Sequence, residues 1–233
     1  MAGTIRRFLQ FKEKFRVISR DLDPRNPSEP NWFNGFIPGL DAISLYGFLC
    51  VNNPKRYVEV GSGNSTKFAR KAVQDNHLQT KITSIDPYPR AEIDKICDEI
   101  VRKPVEDVDI ALFEGLEAGD ILFVDNSHRV FTNSDVTVIF LDVLPCLKPG
   151  VLVEFHDIFL PYDYPEEWNA RYYSEQYTLG AYLLGGGKDT EILLPNCYIS
   201  HIPDLHRILS PIWGDPLIDI VETYGGSFWV IKK

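Results

Sequence analysis

Four polar segments, each following a short apolar run, carry the residues of this sequence that could do chemistry. The first is Val58-Glu59-Val60-Gly61-Ser62-Gly63-Asn64-Ser65-Thr66, an apolar stretch entering a glycine turn and then a helical pattern. Glycine permits backbone angles closed to other residues and lets a ligand approach the main chain, so Gly61, Ser62, Gly63, Asn64 and Ser65 are candidate binding positions. The next run, Ile82–Ile85, ends at Asp86, about 20 residues past the turn, where an acid can accept hydrogen bonds from ribose hydroxyls. A strand-end acid that merely opens the turn Asp86-Pro87-Tyr88-Pro89 is the plainer alternative. Thr66 stands where a dinucleotide fingerprint has its third glycine, and Glu59 opposes a pyrophosphate. A carboxylate there suits a ligand with positive charge, such as an α-ammonium group.

The third and fourth segments are Asp125-Asn126-Ser127-His128 and His156-Asp157. If they end adjacent strands, Asp125, His128, His156 and Asp157 converge on one cleft, and three readings stay open. Asp125 and Asp157 could hold a hard divalent ion such as magnesium with oxygen from substrate and water. His128 or His156 could act as a general base without metal, with Asp157 beside them. Or the residues are structural, His128 capping its loop and His156 bonding its neighbours. Downstream, Trp168, Arg171, Tyr173 and Glu175 form a dense aromatic and polar group that would wall or cover the cleft and sort acceptors. Packing of the same helix through Tyr173, Tyr177 and Leu184 explains the pattern equally well. Trp32, Phe33 and Phe36 would close the pocket from the other side. His77, His201 and His206 receive no role.

The elements that must position these groups follow from periodicity. Tyr57–Val60, Ile82–Ile85, Ile121–Val124 and Val151–Phe155 have strand length, with helical patterns between them. Alternation of this kind predicts βαβ crossovers and a parallel sheet covered on both faces, with ligands at the carboxyl ends of its strands. Trp168 to Leu184 reads as one helix ending in Gly185-Gly186-Gly187, and Glu191–Leu194 and Ser227–Ile231 as late strands pairing at one edge. The fold class expected is α/β, a doubly wound, mainly parallel seven-stranded Rossmann-like sheet with an antiparallel edge and an N-terminal helical extension. Residues 1–39 would form that helix and a Pro-rich connector, and residues 40–233 the main domain. Residues 4–20 read as an amphipathic helix, with Ile5, Phe8, Leu9, Phe15 and Ile18 on one face as a candidate homodimer contact.

Composition narrows the function. Of 233 residues, 24 are Lys or Arg and 33 Asp or Glu, a net charge of −9 with no long basic run, which argues against nucleic acid as a partner. No apolar stretch is long enough for a membrane span. Arg6-Arg7-Phe8-Leu9 has the look of an export signal, but Lys12, Glu13, Lys14 and Arg16 interrupt its apolar region. Cys50, Cys97, Cys146 and Cys197 include no C-x-x-C, consistent with a reduced cytoplasmic compartment.

Val-Glu-Val-Gly-Ser-Gly-Asn-Ser-Thr followed by Ser-Ile-Asp-Pro resembles the first two motifs of class I S-adenosylmethionine-dependent methyltransferases. Asp125-Asn126-Ser127-His128, Leu147-Lys148-Pro149-Gly150 and His156-Asp157 are similar to later pieces of a bacterial methyltransferase-domain subgroup, and the likeness spans roughly residues 40 to 231. The resemblance implies that Glu59, Gly61 and Gly63 face the methionine part of the cofactor, with Ser62, Asn64, Ser65 and Asp125 along it. It implies that Asp86 binds the ribose and that adenine lies around Lys103 to Asp107. In the catechol O-methyltransferase pattern two strand-end carboxylates and an Asn hold magnesium; Asp125 and Asp157 match the carboxylates, while Ile158 occupies the Asn position. The function so implied is methyl transfer, to an oxygen of a small-molecule acceptor. Two alternatives remain: a nicotinamide-dependent oxidoreductase, and a catalytically silent nucleoside-binding protein.

Overall fold

Short apolar runs between turn residues assemble into one sheet. The computed structural model describes residues 1–185, 189–220 and 222–233. Its strands are β1 Arg56–Val60, β2 Lys81–Ile85, β3 Glu99–Val101, β4 Ile121–Val124, β5 Leu152–Phe155, β6 Thr190–Pro195 and β7 Phe228–Lys232, in the spatial order β3-β2-β1-β4-β5-β7-β6. The first five pair in parallel, and β7 runs antiparallel to both β5 and β6. The order reverses between β1 and β4, which opens a crevice at their carboxyl ends.

Helices cover both faces. On one lie α1 Ala2–Phe8, α2 Lys12–Phe15, α3 Gly39–Asn52 and α4 Asn64–Asp75. The buried residues Tyr46, Leu49, Phe68 and Ala72 of α3 and α4 meet Tyr57, Ile82, Phe123 and Trp229 of the sheet there. On the other lie α5 Ala111–Glu114, α6 Asp135–Val138, which widens into a π turn over Ile139–Val143 and closes as α7 Leu144–Cys146, and α8 Glu175–Leu184. Val58, Val124, Val136, Phe155 and Leu179 form that second core. Helix α3 is apolar on nearly every side because the N-terminal segment covers what the sheet leaves bare. It stops where Asn53 turns left-handed (φ 46°) before Pro54.

The expected doubly wound architecture is borne out, with three differences. Strand β3 completes the seven expected, but its position is not marked in the sequence: it has three residues, and Glu99 and Ile100 are exposed at the sheet edge, so no buried apolar pattern announces it. The stretch from Trp168 to Leu184 is two pieces. A 3-10 helix, Glu166–Arg171, ends at left-handed Tyr172 (φ 57°), and α8 begins only at Glu175. Of the glycines expected to end it, Gly186 and Gly187 lie outside the described residues. Finally, Ile5, Phe8, Phe15 and Ile18 are buried in the chain's own core, Phe8 edge-on to Phe48 and Phe15 edge-on to Tyr46. The apolar face expected to serve a dimer contact is therefore already covered. No helix of the described residues is long and apolar enough to cross a membrane.

Candidate functional site

A cleft of about 760 Å³ opens at the carboxyl ends of β1, β2, β4 and β5. Its β1 wall is largely main chain. Gly61 adopts φ 79°, and a Cβ placed there would lie 1.7 Å from the Asp125 carbonyl oxygen, so the close approach of β1 to the end of β4 demands glycine. Gly63 is extended, and its Cβ would meet nothing within 4 Å, so bare backbone faces open space. The Asp86 carboxylate steadies this turn by accepting the Ser62 N–H at 2.9 Å and the Tyr88 N–H at 2.7 Å. Gly61, Ser62, Gly63, Asn64, Ser65, Asp86 and Asp125 all line the cleft, with Pro104, Val105 and Glu106 farther along.

Glu59 is the exception among the expected cofactor residues. It is fully buried beneath the turn and does not line the cleft. Strand alternation puts it on the same face as Tyr57, whose hydroxyl donates to it at 2.8 Å, and the Thr66 hydroxyl donates to its other oxygen. Burial pushes the Glu59 carboxyl up to about 7 despite these bonds. Thr66 in turn accepts the Gly63 N–H at 3.0 Å, so the acid supports the turn from below.

At the ends of β4 and β5 the wall is made of charged side chains. His128 is 2% exposed, with left-handed backbone (φ 58°). Its Nδ1 lies 2.7 Å from Glu175 Oε2, and its Nε2 lies 3.2 Å from Asp125 Oδ1 and 3.5 Å from Asp157 Oδ2. Burial alone would lower the imidazole pKa, but the hydrogen bonds to Asp125 and Glu175 and the nearby Asp157 charge hold it well above its ordinary range. His156, also buried, sits 3.4 Å from Asp41 Oδ2 and 3.5 Å from Asp157 Oδ1. Burial again opposes its charge, and Asp157, Asp41 and Asp125 outweigh it, so this imidazole too is raised well above normal. Burial tends to raise Asp125, yet the His128 hydrogen bond and the His156 charge keep it below the usual carboxylate range. For Asp157 burial wins over both histidines, and its carboxyl is raised.

These contacts bear on three of the expected roles. Both ring nitrogens of His128 are directed at carboxylates, an arrangement that favours the protonated ring over the free base expected of it, and the carboxylates around His156 push that ring in the same direction. Asp125 and Asp157, the expected metal ligands, each face imidazole nitrogens, and Ile158, at the position of the third ligand in the resembled pattern, is buried in the core. Among the described residues no group of three His, Cys, Asp or Glu is arranged to hold a metal ion. Glu175, expected to touch an acceptor, is fully buried; it binds His128 and accepts the Asn126 side-chain amide at 3.1 Å. Trp168, Arg171 and Tyr173 do line the cleft. So does Phe36, whereas Trp32 is buried against Phe15 and Phe68, and Phe33 faces solvent.

Asp41, from the first turn of α3, was missed. Fully buried, it accepts the Asn196 side-chain amide at 2.7 Å and the N–H groups of Gly226 (2.7 Å) and Ser227 (2.9 Å), and it faces His156. Its place in an apolar helix was the available signal, since a buried acid needs partners. Tyr224 and Glu222 reach the cleft from the same late loop.

Residues 58–158 match the model of a family described as a methyltransferase domain. A stretch of 113 residues is 36% identical to an Archaeoglobus fulgidus protein described as uncharacterized, covering 45% of this chain and 48% of that one, so the chain spans about half the length of the curated relative it matches. Among solved structures, the SAH-bound Podospora anserina methyltransferase PaMTH1 superposes over 97% of this chain and 87% of its own, with a TM-score of 0.50 and 16% identity. The plantazolicin methyltransferase BpumL, in complex with SAH and a pentazolic desmethylPZN analog, matches over 82% of this chain and 83% of its own, with a TM-score of 0.50 and 14% identity. The resemblance in sequence is thus matched by a likeness in fold.

Proposed function

From the premise that residues 58–158 are a methyltransferase-domain segment on a class I methyltransferase fold, we propose that the chain is an S-adenosylmethionine-dependent methyltransferase acting on an oxygen of a small-molecule acceptor. The observation that carries this reading is the Gly61-Ser62-Gly63 turn bare in the cleft wall, with Asp86 on one side and Asp125 on the other. Asp125, kept ionised by two imidazolium neighbours, is suited to an α-ammonium group. Asp86 has lone pairs left for ribose hydroxyls after accepting two backbone N–H groups. Open space above Gly63 is the kind of cradle that a side chain would fill. When bound, the cofactor supplies an electrophilic sulfonium methyl group.

The chain's own part is to orient a nucleophile and take its proton. Asp157 is the group suited to this. Its raised carboxyl is a stronger base than a solvated one, it lines the cleft, and the His128 and His156 cations flank it. Glu175 and Asp41 lie behind the two histidines and position them. Phe159, Trp168 and Tyr173 reduce access of water to the same corner. No step passes through a metal.

Calorimetry with S-adenosylmethionine, followed by a methyl-transfer assay on hydroxyl-bearing acceptors, tests the reading. Binding that weakens at least about tenfold in Asp86→Ala is expected, from loss of charge-assisted hydrogen bonds. No binding, or binding unchanged by the substitution, contradicts it. Binding without transfer to any acceptor favours the silent nucleoside-binding alternative, and a response to NAD alone favours the oxidoreductase.

A further inference from the structure

We propose that Arg129 and Arg171 form an anion-binding subsite on the acceptor side of the cleft, so that the molecule methylated carries a carboxylate or phosphate group on an aromatic scaffold. This rests on the methyltransferase reading above. The cationic side chains lining the cleft, besides its two histidines, are Arg90, Arg129 and Arg171. Arg90 lies over the Phe36 ring at 5.7 Å, and its charge reaches Asp125, which assigns it to the cofactor end. The other two belong to the opposite end.

The Arg171 guanidinium lies 3.8 Å from the centre of the Trp168 ring and 5.6 Å from that of Tyr173. Arg129 Nε donates to the Arg171 carbonyl at 2.8 Å, which fixes the two residues side by side. Among the described residues neither guanidinium is within ion-pair distance of a carboxylate, in a chain whose net charge is −9. The nearby acid Glu175 is committed to His128. A guanidinium stacked on a ring face keeps its in-plane N–H fork free, the geometry that matches a carboxylate or phosphate. The aromatic wall continues toward the reacting corner, since the Tyr173 ring is 4.6 Å from the His128 ring. An acceptor can therefore place its anion on the arginines, set its ring beside Tyr173 and direct its hydroxyl toward Asp157.

The test titrates 4-hydroxybenzoate, 4-hydroxyphenyl phosphate and the neutral 4-hydroxybenzamide into protein saturated with S-adenosylhomocysteine. At least one anion is expected to bind about tenfold or more tightly than the amide, a typical gain for a charge-assisted fork. Arg129→Gln and Arg171→Gln should each shrink that preference while leaving S-adenosylhomocysteine affinity within about twofold, since neither approaches the glycine turn. The tighter anion identifies the group as carboxylate or phosphate. Equal affinity of anions and amide, binding of none of the three, or a preference that survives in the double variant overturns the subsite. If S-adenosylhomocysteine itself fails to bind, the methyltransferase reading fails separately, and the same titration of the chain alone still decides whether the arginines select an anion.

Discussion

At the end of β1 the cleft is walled by main chain, whereas at the end of β5 it is walled by side chains gathered from distant parts of the sequence. In the first region Gly61, Ser62 and Gly63 face the opening, and one carboxylate, Asp86, holds the turn by backbone N–H groups. In the second, His128, His156 and Asp157 are placed by Glu175 on α8 and by Asp41 on α3. The contrast teaches where each region is fragile. A main-chain wall is set by local backbone geometry and fails when a Cβ is added. A side-chain wall is set by charge balance in a buried space and fails when one charge is removed.

Gly61→Ala should break the first region outright. Left-handed strain and a collision with the Asp125 carbonyl together cost about 4 kcal/mol or more, read as a large fall in denaturant midpoint and loss of cofactor binding. Glu175→Gln attacks the second region: uncoupling the buried His128 pair should cost about 3 kcal/mol at neutral pH and suppress turnover. Because His128 keeps its proton above the ordinary imidazole range, this contribution is complete below about pH 6.5 and fades as pH rises past the folded value, so variant and wild type should converge in alkaline melts.

Glu59→Gln sharpens the comparison by testing an acid that supports the turn without facing the cleft. In the folded chain its carboxyl titrates at about 7, against an ordinary value of 4.5. The unfolded chain releases that proton first, so wild-type stability should fall between those two pH values. The variant should lack this fall, worth up to about 3 kcal/mol, and should still bind cofactor. The smallest stability effect belongs to Gly63→Ala: extended backbone and open space predict a change below about 0.5 kcal/mol by thermal melting.

The same contrast governs what could be read from the sequence. The glycine turn, Asp86 and Asp125 were legible because strand, turn and helix are contiguous and each follows an apolar run. Glu59 was assigned to the wrong side because a strand buried on both faces is apolar throughout and hides its alternation. Asp41 was not legible, since its role exists only once the late loop returns Gly226 and Ser227 to the first turn of α3. The break at Tyr172 carries no proline or glycine. It is imposed from outside, where the Ser174 and Glu175 N–H groups donate to the His128 carbonyl at 2.7 and 3.1 Å.

The most direct measurement is calorimetric titration of S-adenosylhomocysteine into wild type and Gly63→Ala, with thermal melts of both. We expect wild type to bind and the variant to bind at least about tenfold more weakly at an unchanged melting temperature, because the added methyl group would occupy open space that the cofactor is proposed to fill. Equal affinity in the two proteins, or no binding by wild type, contradicts a cofactor seated on this turn.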